Sequence, residues 1–496
     1  MSRRLLELLV VCLAFASSIA SAVALNPRGL GQVLIYPYYT VNAGQDTLFT
    51  LVNTADIAKV ARVRFLEGYN GRTVFATYVF LSAHDVWTAA ITQVADGDGA
   101  KITTADASCT FPSIQSGTAP FTSDDYTGAN DDTGPTSITR TREGSIEVIE
   151  AGDIVPGSAA EAAITHVQNG TPGGGVPPCT FATGAGAQPI DLADLAAPTG
   201  GLYGSGAIVD VVQGTFFAYA ATALVGFTDE VPVDDLTDAT QPALDQAHSS
   251  ESPATARAYV PIDDIGTIAL DYDQGIDAIS ALLMSRSIAN EFLTDAALGA
   301  NTDWVVTLPT KRFYVDALRY PRAPADPFVE AFHAPGESRV IFPVVAYDRE
   351  ELESAVGTEG CGFLCPGFTP SAFPYEVNTF GFLADGTPQG TPSGVLRSRL
   401  SMFYQNPIGG LPRGDAGWVD IDLSAGDGGH YLLGGTLSTG EPVVIAGLPV
   451  IGFMVYNVVN ANAQPGVLGN YGGVFAHRAA LTCHDIAGLP CPTLVN

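Results

Sequence analysis

The sequence predicts a mainly β protein, an antiparallel β-sandwich with long acidic and Gly/Pro-rich loops and a minor helical part. Near the start of the chain, runs rich in β-branched and aromatic residues recur about every 12 residues. Turn-forming residues separate them, and the chain contains 54 Gly and 33 Pro. Hydrophobic residues make up 46% of the 496 residues, which is enough to bury a sizeable core and excludes general disorder.

The clearest strands lie in the first fifth of the chain. Runs 47–53, 59–67 and 73–81 combine β-forming residues with turn punctuation. Asn70-Gly71 is a strong tight-turn signal between the second and third runs. We therefore expect the three runs to form adjacent antiparallel strands, the last two joined as a hairpin.

The second of these runs alternates in a way that assigns its two faces. Ala61, Val63 and Phe65 share one face by the two-residue period of a strand and are expected to be buried. Arg62 and Arg64 then lie on the opposite face, which must be solvent or a polar interface because buried unpaired guanidinium groups are very costly. Truncating Phe65 is thus expected to cost far more stability than truncating Arg64.

Later segments continue the β pattern and add one helix. The stretches 206–212 and 215–227 read as a second hairpin around Gln213-Gly214. Residues 275–292 are the best helix candidate, because apolar residues recur at helical spacing and Asp273 is placed to cap the start.

The chain divides by composition into a leader and three regions. Residues 25–152 form an N-terminal β-sandwich region with acidic loops, and residues 153–300 combine small-residue-rich loops, a hairpin and the helix. Residues 301–496 form a C-terminal β-rich region, which either stands alone or continues the domain of 25–152.

Residues 1–24 have the layout of a secretory signal peptide. Arg3 and Arg4 precede an apolar stretch, and Ala22 and Ala24 supply small residues at the −3 and −1 positions. The stretch is shorter than the roughly 20 residues that span a bilayer, which disfavours a retained anchor. We therefore expect cleavage after Ala24, no transmembrane span in the mature chain, and a periplasmic, extracellular or cell-surface location.

The chain is strongly acidic. It carries 22 Lys and Arg against 52 Asp and Glu, a formal net charge of −30. Such a charge repels nucleic acids and anionic membrane surfaces, so neither is an expected partner. Solubility explains the acidity more simply than cation binding does.

Calcium is the one cofactor that the sequence supports. Six aspartates lie in Gly-bearing loops, and calcium takes six to eight oxygen ligands. They are Asp96, Asp98, Asp124, Asp125, Asp131 and Asp132. The loop from Asp96 begins like an EF-hand, but Ala107 stands at position 12 where a glutamate is needed. Solvated surface loops are the competing interpretation.

Six cysteines follow the predicted leader, an even number that in an exported chain is typical of disulfides. They are Cys109, Cys179, Cys361, Cys365, Cys483 and Cys491. Proximity favours Cys361–Cys365 and Cys483–Cys491, which leaves Cys109–Cys179, although six cysteines allow 15 connectivities. Zinc is the weaker alternative, because no cysteine pair has the two-residue spacing of a zinc knuckle.

Catalytic signatures are missing from the sequence. HExxH, GxSxG, P-loop and helix-opening GxGxxG motifs do not occur. Aromatic residues such as Tyr36, Tyr38, Tyr39 and Trp87 have the chemistry to stack on sugars, although aromatics in strands more often belong to the core.

Several stretches resemble a group of functionally uncharacterised exported proteins of Gram-negative bacteria. They are 29–54, 142–152, 302–316, 374–382 and 470–478, as in the strings REGSIEVIEAG and NYGGVFAHR. The resemblance spans the chain beyond the leader and implies an exported, β-rich, surface-associated protein. It implies neither a reaction nor site residues.

These observations favour an exported, non-enzymatic structural or cell-surface protein, with cell-envelope, glycan or self-association partners. The first alternative is an extracellular module that binds a carbohydrate or another ligand. The second is a secreted hydrolase whose active site is assembled from distant residues without a motif.

Overall fold

The computed structural model of the chain is mainly β, with 47% strand and 10% helix in several antiparallel sheets, as the sequence predicts. The residues that the structure describes are 22–95, 97–114, 117–168, 171–172, 174–181, 188–295, 297–351, 353–356, 372–382, 392–404, 416–426 and 428–491.

The strands are given in chain order. The first part of the chain contains β1 (Val23–Leu25), β2 (Val33–Thr40), β3 (Asp46–Asn53), β4 (Lys59–Glu67), β5 (Thr73–Leu81), β6 (Val86–Gln93), β7 (Ala100–Thr103), β8 (Cys109–Phe111), β9 (Thr118–Pro120), β10 (Glu143–Ile154), β11 (Val167–Gln168) and β12 (Thr171–Pro172). The middle contains β13 (Leu195–Ala196), β14 (Leu202–Asp210), β15 (Thr215–Ala220), β16 (Thr222–Val225), β17 (Ala256–Ile262), β18 (Gly266–Tyr272), β19 (Met284–Ser285), β20 (Ser287–Leu293) and β21 (Ala300–Thr307). The last part contains β22 (Val340–Ile341), β23 (Val344–Asp348), β24 (Glu353–Val356), β25 (Ala372–Phe373), β26 (Val377–Phe382), β27 (Ser401–Tyr404), β28 (Ala416–Asp422), β29 (Tyr431–Leu437), β30 (Pro442–Ala446), β31 (Leu448–Pro449), β32 (Ile451–Gln464), β33 (Val467–Ala476), β34 (Arg478–Ala480) and β35 (Cys483–Asp485).

Helices are short. The α-helices are α1 (Ala159–Ile164), α2 (Gly275–Leu283) and α3 (Arg312–Val315). Single 3-10 turns cover Asn42–Gly44, Asp124–Tyr126, Gly128–Asn130, Ile138–Arg142, Leu192–Asp194 and Leu244–Gln246. No helix within the described ranges is long and apolar enough to cross a membrane.

The largest sheet has 13 strands and takes them from the beginning, middle and end of the chain. Its order is β35-β30-β29-β18-β17-β1-β16-β2-β10-β4-β5-β8, with β13 also paired to β10. A six-stranded sheet, β15-β14-β3-β6-β7-β9, packs on the β2, β10, β4 and β5 part of it. Between the two sheets lies a core that includes Tyr36, Tyr38, Tyr39 and Trp87, so these four aromatics are core residues.

Two further sheets have five strands each. Their orders are β24-β23-β28-β20-β34 and β27-β26-β21-β32-β33. A second buried cluster includes Trp304 on β21 and Phe380 on β26, and continues to the β17–β18 side of the large sheet.

The prediction of three adjacent N-terminal strands is correct for one pair only. β4 and β5 form the expected antiparallel hairpin, from Lys59↔Leu81 to Leu66↔Thr73. β3 instead belongs to the six-stranded sheet, between β14 and β6. Its buried positions alternate with more exposed ones, as in a strand with one face on the core, whereas every residue of β4 is buried.

Arg62 and Arg64 lie on the face of β4 opposite Ala61, Val63 and Phe65, as predicted, and of the two predicted environments, solvent or a polar interface, that face is a polar interface: each arginine is only 5% exposed. The expectation that Arg64 contributes as little as a surface residue is therefore wrong. That face is covered by polar and ionic groups from distant parts of the chain, which supply Arg64 with the carboxylate of Glu147 and the carbonyl oxygen of Thr240.

The helix prediction is correct at its start and wrong in length. The helix begins at Gly275 and ends at Leu283, after which the chain turns into β19 and β20. Gln274 occupies the cap position and its side chain makes no cap hydrogen bond, so Asp273 does not play that role. Residues beyond 283 instead pair with β31, β28 and β34. The second predicted hairpin is present as β14 and β15, but its second strand ends at Ala220, and β16 (Thr222–Val225) belongs to the 13-stranded sheet instead.

Two of the predicted disulfides are confirmed. Cys109 bonds to Cys179 and Cys483 bonds to Cys491. Cys361 and Cys365 lie outside the described residues.

Candidate functional site

The six aspartates proposed for calcium are distributed among different partners. Asp98 pairs with Arg142 at 3.0 Å, and Asp132 pairs with Arg140 at 2.6 Å. Asp125 pairs with Arg319. Arginine partners occupy the carboxylate oxygens that a cation would need.

The other three aspartates proposed as calcium ligands do not come together in the described part of the structure. Asp124 begins a 3-10 turn, Asp131 accepts a hydrogen bond from the backbone N–H of Thr133, and Asp96 lies outside the described residues. Within the described ranges, no group of three or more His, Cys, Asp or Glu side chains is arranged to hold a metal ion. Calcium binding stays a prediction.

A cavity of about 1130 Å³ lies on the polar face of β4 and β5, opposite the core. Its walls are the β4–β5 hairpin, the segment 236–246 and the segment 312–320, which begins in α3. We call it the arginine cavity, because five arginines line it in a chain with only 22 Lys and Arg. They are Arg62, Arg64, Arg72, Arg312 and Arg319.

The turn that forms one wall depends on a glycine. Gly71 has a φ of +62°, and a Cβ there would clash with the carboxylate of Glu376. Glu67 accepts the backbone N–H groups of Tyr69, Asn70 and Arg72, which fixes the turn. The Asn-Gly turn thus places Asn70 and Arg72 in the cavity wall.

Glu147 of β10 holds two of the arginines. Its Oε1 accepts from Nη1 of Arg64 at 3.2 Å, and its Oε2 accepts from Nη2 of Arg312 at 2.6 Å. Arg312 also contacts Glu376 at 2.9 Å. Glu147 and Glu376 are almost fully buried, so these pairs are screened little by solvent.

Two further arginines are paired at the hairpin end of the cavity. Arg72 contacts Asp316 at 2.7 Å, and Arg319 is held by Asp125. Behind this wall, Arg140 donates to both Glu67 and Asp132 and packs over Tyr126. These bonds fix the wall as a rigid ionic network.

Arg62 differs from the other four. Within the described part of the chain it makes no ion pair with a carboxylate; its Nη2 donates to the carbonyl oxygen of Ala239 at 3.2 Å, and its guanidinium lies over the ring of Tyr78. Its Nε is buried without a hydrogen-bond partner. Burial, followed by the charge of Arg64, lowers the pKa of Arg62 to about 10, so the group stays charged at neutral pH.

Other side-chain atoms of the lining are also buried without a hydrogen-bond partner: Oδ1 of Asn70, and Nε and Nη2 of Arg72, although Arg72 forms ion pairs with Asp132 and Asp316. The amide nitrogen of Asn70 approaches Asp132 and Asp316, but its Oδ1 is buried without a hydrogen-bond partner. Each buried donor or acceptor without a partner costs free energy.

The rest of the lining suits a ligand with hydroxyl groups. Amides, hydroxyls and carboxylates alternate with rings; among them are Thr240, Gln241, Gln246, Asp245, Phe75, Phe313 and Tyr320. Burial raises the pKa of Tyr320 to about 12, so its hydroxyl remains a donor at neutral pH. The cavity therefore combines arginine cations, hydrogen-bond donors and acceptors, and the apolar faces of aromatic rings.

Sequence reasoning missed this site, because its parts are far apart in the chain. One signal was available: Lys59, Arg62, Arg64 and Arg72 lie within 14 residues of a strongly acidic chain. Such a local excess of basic residues marks either buried ionic pairing or anion binding.

Comparison of the chain with protein-family models, curated proteins and solved structures finds no match. The cavity itself is therefore the evidence for function.

Proposed function

We propose that the protein is an exported binding protein whose arginine cavity takes an acidic carbohydrate, a sugar that carries a carboxylate, sulfate or phosphate group. The observation that carries the proposal is Arg62, a buried cation that lines the cavity and, within the described residues, makes no ion pair with a carboxylate, although the charge of Asp238 acts on it. An anionic group is the ligand that satisfies such a guanidinium best.

The other lining groups support the sugar part of the ligand. The amides of Asn70, Gln241 and Gln246 line the cavity and supply hydrogen-bonding groups for sugar hydroxyls. Asp245, whose side chain is exposed at the cavity, offers further acceptors for hydroxyl groups. Phe313 and Tyr320 provide rings against which a sugar face packs.

Export is supported by the leader layout and by the disulfides. Cys109–Cys179 and Cys483–Cys491 are bonds that persist in oxidising compartments and are rare in the cytosol. A net charge of −30 keeps an exported protein soluble while the acidic ligand is recognised by locally placed arginines.

The test is a titration of the purified protein, by isothermal calorimetry, with three probes: oligogalacturonate, a heparin-derived oligosaccharide and a neutral cello-oligosaccharide. We expect binding of at least one acidic probe, weaker binding at high salt, and no comparable binding of the neutral probe. Equal binding of acidic and neutral probes contradicts the role of Arg62.

Absence of binding to all three probes contradicts the proposal. In that case the arginines serve only to hold the segment 236–246 against β4, and the structural or cell-surface role becomes the preferred function.

A further inference from the structure

The short strand β1 joins two parts of the 13-stranded sheet. On one side it pairs antiparallel with β16, through Ala24↔Val225 and Leu25↔Leu224. On the other side it pairs parallel with β17, through Val23↔Ala258 and Ala24↔Tyr259. In the described sheet, β1 is thus the link between the β2 side and the β17 side.

The first residue of this strand is a core residue. Val23 is 0% exposed and belongs to the buried cluster that contains Leu224, Ala258 and Val260. Burying a valine side chain stabilises the folded chain, and that contribution is lost if the residue is removed. The strand β1 is therefore an integral part of the hydrophobic core and of the sheet.

Cleavage after Ala24 conflicts with this role. It would remove Val23 and Ala24, which are the two residues that pair with β17, and would leave only Leu25 of the strand. The sheet would then lose its link between β16 and β17.

The sequence contains a second pair of small residues that avoids the conflict. Ala20 and Ala22 stand at the −3 and −1 positions for cleavage two residues earlier, and Ala-Ser-Ala matches the small-x-small pattern of a signal-peptidase site. We propose that the signal peptide is cleaved between Ala22 and Val23, so that Val23 is the mature N-terminus and the mature chain keeps all of β1. This proposal rests on the export that the proposed function includes, but not on the ligand.

The experiment is N-terminal sequencing and intact-mass analysis of the full chain produced in a Gram-negative host and purified from the exported fraction. The expected N-terminus is Val23. An N-terminus at Leu25 overturns the proposal while leaving export intact. A chain that stays in the cytoplasm with residues 1–22 attached contradicts export itself, so the two failures are distinguishable.

A pair of variants tests the position directly by pulse-chase measurement of precursor and mature forms. Ala20→Leu places a large residue at −3 of the proposed site, and we expect several-fold accumulation of precursor. Ala24→Leu places a large residue at −1 of the alternative site but after the proposed one, and we expect processing at the normal rate. The opposite result, with Ala24→Leu blocking cleavage, overturns the proposal.

Discussion

Arg62 and Arg64 lie two residues apart on the same buried face of β4, and only Arg64 is paired with a carboxylate, that of Glu147. Both donate to the carbonyl oxygen of Ala239, so both hold the wall of the arginine cavity. Variants of the two residues therefore test different roles. Those of Arg64 test structural ion pairing, and those of Arg62 test ligand recognition.

Arg64→Ala is expected to destabilise the protein by about 3 kcal/mol, because removal of one partner of a buried ion pair leaves the other charge under-compensated. Phe65→Ala, on the core face of the same strand, is expected to cost about 3–5 kcal/mol. Denaturant unfolding of the two variants should therefore show losses of similar size.

Arg28→Ala is the matched control, since Arg28 is exposed and its loss should change stability by no more than about 0.5 kcal/mol. If Arg64→Ala loses as little stability as Arg28→Ala, the face of β4 that carries Arg62 and Arg64 is open to solvent, and the Arg64–Glu147 ion pair does not contribute to folding.

The disulfides Cys109–Cys179 and Cys483–Cys491, both within the described residues, should differ in their contribution to stability. Cys109 and Cys179 are separated by 70 residues and Cys483 and Cys491 by 8. In the chain-entropy account, closing the longer loop contributes about 4 kcal/mol and closing the shorter one about 2.5 kcal/mol. The double variants Cys109→Ser/Cys179→Ser and Cys483→Ser/Cys491→Ser should rank in this order in chemical denaturation; a reversed order would show that native-state contacts outweigh loop closure.

Lys311 should make stability depend on pH in the alkaline range. It is 2% exposed, and its Nζ donates to the carbonyl oxygens of Ser338, Phe373 and Tyr375. Burial lowers its pKa to about 7 from 10.5, against the opposing charge of Glu376. At pH values between about 7 and 10.5, Lys311 is more often protonated in the unfolded chain than in the folded protein. The free energy of unfolding therefore rises with pH over this range, by up to about 1.4 kcal/mol per pH unit.

Lys311→Met removes this titration and serves as the comparison. The difference in unfolding free energy between the two proteins should change steadily from pH 7 to pH 10. A constant difference over that range would mean that the buried ammonium keeps its ordinary pKa.

Local features of the fold were predictable from the sequence because neighbouring residues determine them. The β4–β5 hairpin follows from alternation on both sides of Asn70-Gly71, and Cys483–Cys491 follows from proximity. The placement of β3 was not predictable in this way, because its hydrophobic pattern fits either of two facing sheets and only packing selects one.

The site depends on residues that are remote in the chain. Glu147 is 83 residues from Arg64 and 165 from Arg312, and the segment 236–246 comes from a third region. A strand with arginines on one face reads as amphipathic in isolation. Only the three-dimensional arrangement supplies the partners that allow both arginines to be buried, the carboxylate of Glu147 for Arg64 and the carbonyl oxygen of Ala239 and the ring of Tyr78 for Arg62.

The central claim is that Arg62 recognises an anionic ligand, and the affinity of Arg62→Gln for the acidic probe tests it most directly. The matched control is Arg257→Gln, since Arg257 is paired with Asp271 and does not line the cavity. Calorimetric titration at low salt should give at least a tenfold weaker affinity for Arg62→Gln, which corresponds to about 1.4 kcal/mol, and an unchanged affinity for Arg257→Gln. Wild-type affinity in a folded Arg62→Gln protein would contradict the account.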